Sequence, residues 1–183
     1  MKNFKAKKQR ILNAAQIQAI LARMTGEMAK QYGDLEQLVF IGIRTRGPYI
    51  AKRLAHMIKQ RYGKEIPVGE MDITLYRDDL NALVRGGTID HTRIPFDIAN
   101  KVVVLFDDVL NTGRTVRAAV DHLIDLGRPR MIHLAVMVDR GGRELPIAAN
   151  YVGKTIRPAA EADVEVRLKE VDKIDEVLVG ERR

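Results

Sequence analysis

No cysteine occurs among the 183 residues, so neither a disulfide frame nor a thiolate metal site can form, and the four histidines are too scattered to give metal-ligand spacing. No run of apolar residues follows the basic N-terminus MKNFKAKKQR, which excludes a signal peptide or membrane anchor there and leaves a frayed tail over residues 1–12. The lack of thiols suits a reducing, cytoplasmic setting. The nucleotide-loop pattern G-x-x-x-x-G-K-[ST] is missing too. Its nearest approach, GIRTRGPY, has Pro48 where the lysine must stand, and there is no G-x-G-x-x-G, which argues against a mononucleotide kinase or a dinucleotide enzyme. Repeats, linkers and low-complexity tracts are absent as well, and 183 residues with 46% hydrophobic content fit a single domain over 1–183.

What is present is an excess of positive charge. Thirty-one basic residues against twenty-four acidic ones give +7, a balance that favours polyanions such as phosphorylated metabolites or RNA, although an ordinary solvated surface gives the same sum.

Hydrophobic periodicity alternates along the chain. Ile17, Ile20, Leu21, Met24 and Met28 share one helical face, with Asn13 placed to cap and Gly33 to stop it. An apolar strand within LEQLVFIGIRTRG leads through a polar turn to a second helix, with Pro48 in its first turn and a stripe of Ile50, Leu54, Met57 and Ile58. VGEMDITLY sets Met71, Ile73 and Leu75 on one side of a strand. The polar stretch over about 77–93 holds Gly86-Gly87 and reads as a flexible lid loop. KVVVLF and MIHLAVMV are strands apolar on both faces, and between them Val116, Val120, Leu123 and Leu126 mark a helix stopped by Gly127 and Pro129. Such strands separated by amphipathic helices predict an α/β fold with a mostly parallel central sheet flanked by helices.

The stretch VVVLFDDVLNTGRT, Val102 to Thr115, then reads as strand, polar loop and helix start, at the end of the sheet where open parallel sheets bind ligands. Unpaired N–H groups around Thr112, Gly113 and Arg114, with the hydroxyls of Thr112 and Thr115, form a cradle for phosphate. Two carboxylates directly beside a phosphate make sense if hydroxyls or a cation lie between, as a ribose diol or magnesium would. From spacing alone, an Asp pair that caps a turn is an equal alternative.

FDDVLNTGRT strongly resembles the 5-phosphoribosyl 1-pyrophosphate (PRPP) signature of the type I phosphoribosyltransferases. GIRTRGPYIAKRLA, GEMDITLYRDDL, LGRPRMIHLAVMVDRGGRELPIAANYVGKTI and EVDKIDEVLV are together similar to the bifunctional pyrimidine operon attenuators and uracil phosphoribosyltransferases, over nearly the full chain. The resemblance implies the type I phosphoribosyltransferase fold with a small base-binding hood, and transfer of ribose 5-phosphate from PRPP to uracil, giving UMP and pyrophosphate with Mg2+ held mainly by the substrate. It places Asp107 and Asp108 at the ribose, Asn111, Thr112, Gly113, Arg114 and Thr115 at the 5-phosphate, and Thr45, Arg46 and Gly47 at the pyrophosphate. Arg77 becomes the lid arginine that meets pyrophosphate on closure, with a surface ion pair to Asp78 or Asp79 as its alternative. Val138, Asp139, Arg140 and Val164 fall in the base pocket.

The same resemblance implies a UMP-responsive contact with pyrimidine-operon leader mRNA and a homodimer or homotetramer. Arg23, Arg143 and Lys154 are the RNA candidates. This chain departs from those relatives in having Gly26 where they commonly carry histidine, Gly142 and Ala148 where they carry histidine and arginine, and Asn111 where most have tyrosine. Lost cations weaken RNA binding steeply. An enzyme without regulation, and an RNA-binding nucleotide sensor with negligible catalysis, therefore remain alternatives to the bifunctional reading.

Overall fold

A computed structural model describes residues 8–74 and 91–181. At its centre lies a five-stranded parallel sheet built from β2 (Leu38–Ile43), β3 (Val68–Met71), β4 (Val102–Leu110), β5 (Met131–Asp139) and β6 (Tyr151–Thr155), in the order β3-β2-β4-β5-β6. Alternate residues of the central strands enter two separate cores. Leu38, Phe40, Val102, Val104 and Phe106 pack beneath α1 (Ala14–Tyr32) and α2 (Gly47–Tyr62), whereas Val39, Ile41, Val103 and Leu105 pack beneath α3 (Arg114–Leu126). Both faces are covered, which is why these strands are apolar throughout.

Local chemistry sets the helix ends. Asn13 and Gln16 form a reciprocal capping box at the start of α1, and Gly33 closes it. Pro48 sits in the first turn of α2, and Gly63, in a left-handed conformation, ends it. Of the stripe expected on α3, Val116 and Leu123 are buried but Leu126 is 50% exposed. Ten residues at 100° each carry Leu126 roughly 80° away from the direction of Val116, off the packed face.

A second sheet, antiparallel, joins β1 (Gln9–Leu12), β8 (Glu176–Glu181) and β7 (Ala162–Arg167), with the short α4 (Lys169–Asp172) between β7 and β8. The expected N-terminal tail is therefore corrected over residues 9–12. Leu12 is buried, and the preceding Lys8 pairs with Asp163 at 2.9 Å and Glu165 at 2.6 Å, so ladder bonds, one apolar anchor and two ion pairs hold a segment whose composition is polar. Val164, Val166, Leu168 and Val177 share the core under α1 and α2, which ties this hood to the central sheet.

Most of the expected lid, including Arg77, lies outside the described residues. Its far stem is described: Arg93 forms an antiparallel bridge with Glu70 of β3, and Thr92 Oγ1 accepts from the Asp72 N–H at 3.1 Å.

Candidate active site

β2 and β4 are neighbours although α2 and β3 separate them in sequence, so the chain turns outward on both sides of this pair. Ligands of open parallel sheets bind at the carboxyl ends flanking such a switch point. Here those ends carry Arg44-Thr45-Arg46-Gly47 after β2 and Asp107-Asp108 on β4.

The strand of β4 is longer than its apolar run. Asp107 to Leu110 continue the ladder with Val136 to Asp139 of β5, so both carboxylates stand on a strand rather than in a loop. Asp107 is buried and accepts the Asp108 N–H at 2.9 Å; Asp108, half-buried, accepts the Val109 N–H at 2.9 Å. Burial raises the pKa of both, and the neighbouring Asp108 charge pushes Asp107 up further. The Arg46 guanidinium, 4.0 Å from Asp108 Oδ2, pulls that carboxyl back down.

Close backbone packing brings the two loops together. A Cβ on Gly47 would stand 2.3 Å from the Phe106 carbonyl oxygen, and one on Gly42 would stand 2.1 Å from the Pro48 nitrogen. Only glycine lets the start of α2 lie this near to β4.

At the head of α3, Gly113 adopts φ +93° and supplies no side-chain cap, so the N–H groups that follow Arg114 in the first turn are placed for an anion. Thr112 Oγ1 accepts the Arg114 N–H at 3.3 Å, and the Thr112 carbonyl accepts the N–H groups of Glu144 and Leu145. A polar cavity of about 380 Å3 opens between these elements, lined by Arg44, Thr45, Asp72, Thr74, His91, Asp107, Asp108 and Thr115 among others. Thr74 bonds to Asp72 Oδ1 through both its N–H and its hydroxyl, closing the wall opposite β4.

Residues 8–170 fit the phosphoribosyl transferase domain model. Similar proteins include two named "Bifunctional protein PyrR". That of Thermus thermophilus is 50% identical over 175 residues, 96% of this chain and 97% of its own; that of Deinococcus radiodurans is 51% identical over 170 residues, 93% of each. The chain belongs to the PyrR family of phosphoribosyltransferases. Solved structures agree in fold: a hypoxanthine-guanine phosphoribosyltransferase from Bacillus anthracis superposes with a TM-score of 0.69 at 17% identity, over 96% of this chain and 99% of that one. A hypoxanthine phosphoribosyltransferase from Staphylococcus aureus gives 0.68 at 21%, over 100% and 98%. At such identities the likeness shows the type I phosphoribosyltransferase fold alone.

Within this PyrR-family site the sequence candidates divide by position. Asp107, Asp108, Thr45 and Thr115 line the cavity, with Arg46 beside Asp108. Val138 is fully buried, so it can meet a base only through its backbone, whereas Asp139 and Arg140 stand half-buried at the end of β5. Arg140 reaches the Ala160 carbonyl at 3.3 Å, and Val164 lies in the hood strand β7.

Two of the three RNA candidates have internal partners. Arg23 donates to the carbonyls of Val152 and Gly153 and pairs with Glu27 at 2.7 Å. Arg143 donates to the carbonyls of Leu110, Asn111, Gly141 and Ile147 and to Asp139 Oδ2 at 2.7 Å. The latter therefore fastens the phosphate loop to the end of β5. Sequence reading missed His91 and Asp172. An acidic cluster in EVDKIDEV was the available sign of Asp172, but nothing in it says which carboxylate reaches the site.

Proposed function

We propose that the protein is a uracil phosphoribosyltransferase, converting uracil and PRPP to UMP and pyrophosphate. The observation that carries this reading is the convergence of an Asp pair, an uncapped helix N-terminus and an Arg-bearing loop on one polar cavity at the switch point of the sheet. The choice of uracil rests on full-length similarity to the PyrR relatives, through the segments after β5 and in the hood.

In this reading the N–H groups of 111–115, with the Thr112 and Thr115 hydroxyls, hold the 5-phosphate. Asp107 and Asp108 accept from the ribose hydroxyls. The bond from the anomeric carbon to pyrophosphate breaks as uracil N1 attacks, so positive charge grows on the sugar and negative charge on the leaving group. Ionised Asp107 and Asp108 face the former and Arg46 the latter, an electrostatic division that needs few proton transfers. Arg77, outside the described residues, is a further candidate for the pyrophosphate. Backbone groups around Val138 to Arg140, with Val164 opposite, read the base.

The cavity's carboxylates and hydroxyls are hard oxygen donors of the kind Mg2+ takes. In this reading the ion is carried mainly by PRPP, whose pyrophosphate charge it offsets.

Regulation is the second half of the reading: UMP in the same site favours binding of pyrimidine-operon leader mRNA to a dimer or tetramer. Lys154, half-buried on β6, is the RNA candidate whose side chain makes no hydrogen bond or ion pair among the described residues. A cytoplasmic location accords with a soluble substrate and with helices none of which, among the described residues, is long and apolar enough to cross a membrane.

The test offers the protein magnesium and PRPP with equimolar uracil, orotate, hypoxanthine and adenine, and follows the nucleotide formed. UMP alone is expected. A different nucleotide overturns the base assignment; none at all turns the Asp107 loop into a sensor site and makes leader-RNA affinity with and without UMP the next measurement.

A further inference from the structure

Arg46 is held by a side chain from the hood. Its Nε and Nη2 donate to the two oxygens of Asp172 at 3.0 and 2.8 Å, a fork matched to a fork, while its Nη1 lies 4.0 Å from Asp108 Oδ2. The guanidinium thus has one edge anchored and the opposite edge turned toward the Asp pair. Both partners are largely shielded, with side chains 24% and 18% exposed.

The anchor is itself fixed. Asp172 Oδ2 accepts the Leu168 N–H at 2.9 Å, which closes the single turn of α4. Two helical turns beyond Arg46 on α2, Arg53 grips the same segment through Glu170, at 2.9 and 2.6 Å, and Asp175, at 3.0 and 2.8 Å. Asp175 also accepts the Lys169 N–H at 2.7 Å. Arg46, the residue just before α2, and Arg53 on α2 therefore clamp the α4 turn, and the carboxylate that this turn presents faces the pyrophosphate loop.

We propose that Asp172 is a positioning residue for phosphoribosyl transfer: it binds the Nε edge of Arg46 and directs the Nη1 edge at the pyrophosphate of PRPP. The inference rests on the assignment of Arg46 to pyrophosphate made above. A lone arginine on a loop has many rotamers and loses their entropy when it meets a ligand; one held from behind has already lost it. The placement also joins the base side to the leaving-group side, because α4 connects two strands of the hood and its aspartate reaches the opposite end of the site.

The test compares magnesium pyrophosphate and UMP as ligands of the full chain by calorimetry, in wild type, Arg46→Ala, Asp172→Asn and the double variant. Asparagine keeps an acceptor for Leu168 but puts an N–H where Arg46 needs its second one, so the turn persists while the fork is lost. Expected are a roughly tenfold or greater loss of pyrophosphate affinity in Asp172→Asn, as for a lost charge-assisted pair, and UMP affinity within about twofold of wild type. Adding Asp172→Asn to Arg46→Ala should cost nothing further, and Asp172→Glu should recover part of the affinity. Loss in Arg46→Ala with none in Asp172→Asn, or tighter binding in Asp172→Asn, overturns the positioning role. Unchanged pyrophosphate binding in Arg46→Ala overturns the assignment beneath it and the inference together. A loss of UMP binding equal to the loss of pyrophosphate binding would mean that Asp172 only supports the fold.

Discussion

Asn111 Oδ1 lies 2.8 Å from the place where a Cβ on Gly142 would stand, so a phosphate-loop side chain and a glycine after β5 share one space. Positions 111 and 142 are thus one spatial feature.

Gly142 has φ +71°, which adds backbone strain to any side chain placed there. Gly142→Ala is expected to cost about 1 kcal/mol in urea unfolding, mostly from φ, since the Asn111 amide can swing aside. Gly26 makes the contrast: it sits within α1, where an added Cβ meets nothing within 4 Å, and Gly26→Ala should gain about 0.5–1 kcal/mol.

Asp107 sets activity against stability. Burial raises its folded pKa above the usual carboxylate value, so its effect favours folding below about pH 4 and is lost as pH rises through the folded pKa. At neutral pH Asp107→Asn should therefore raise the melting temperature, and the gain should shrink toward pH 4. Turnover of Asp107→Asn with Asp108→Asn should fall about a hundredfold or more. In wild type, turnover should rise with pH as the pair ionises. Near-native turnover in the double variant would remove the ribose assignment.

Glu165 has the opposite sign. Hydrogen bonds from Arg167 and Lys8 lower its pKa to about 2 from 4.5, so its contribution is complete above pH 4.5 and disappears as pH falls toward 2. With its side chain 27% exposed, solvent screening keeps the worth of the pair small. Glu165→Gln is expected to lose on the order of 1 kcal/mol at neutral pH and to flatten the acid limb of the stability curve. Amide exchange in Gln9–Leu12 should quicken in the variant, because Lys8 loses one of its two anchors.

Arg143 offers a test between fastening and plain charge. Its guanidinium serves four carbonyls and one carboxylate, a geometry that a lysine ammonium cannot copy. Arg143→Ala and Arg143→Lys should both lose about 1–3 kcal/mol of stability and weaken UMP binding. If Arg143→Lys matched wild type in both, the side chain would be acting as a simple cation.

The central sheet and its three long helices were legible because buried strands and amphipathic helices write their environment into residue type. Asp107 and Asp108 were legible as a candidate site but not as strand, since only pairing with Val136 and Val138 on β5 extends β4 past Phe106. The hood was implied by family resemblance, but its strands were not legible in periodicity, for a related reason. β1 and β7 are short and mostly exposed or half-exposed, and QRIL becomes a strand only because residues 177–179 lie beside it. Asp172 escaped because its partner Arg46 is far away in sequence. Contacts made across the chain leave little mark on either stretch alone.

The pairing of β1 with β8 has a consequence for the order in which the molecule is built. All five strands of the parallel sheet are available once residue 155 has been synthesised, but Gln9–Leu12 must wait for Val177–Val179 to emerge. On a ribosome the earliest described strand is among the last to find its partner, and the hood closes as a clasp over a sheet that can already have formed.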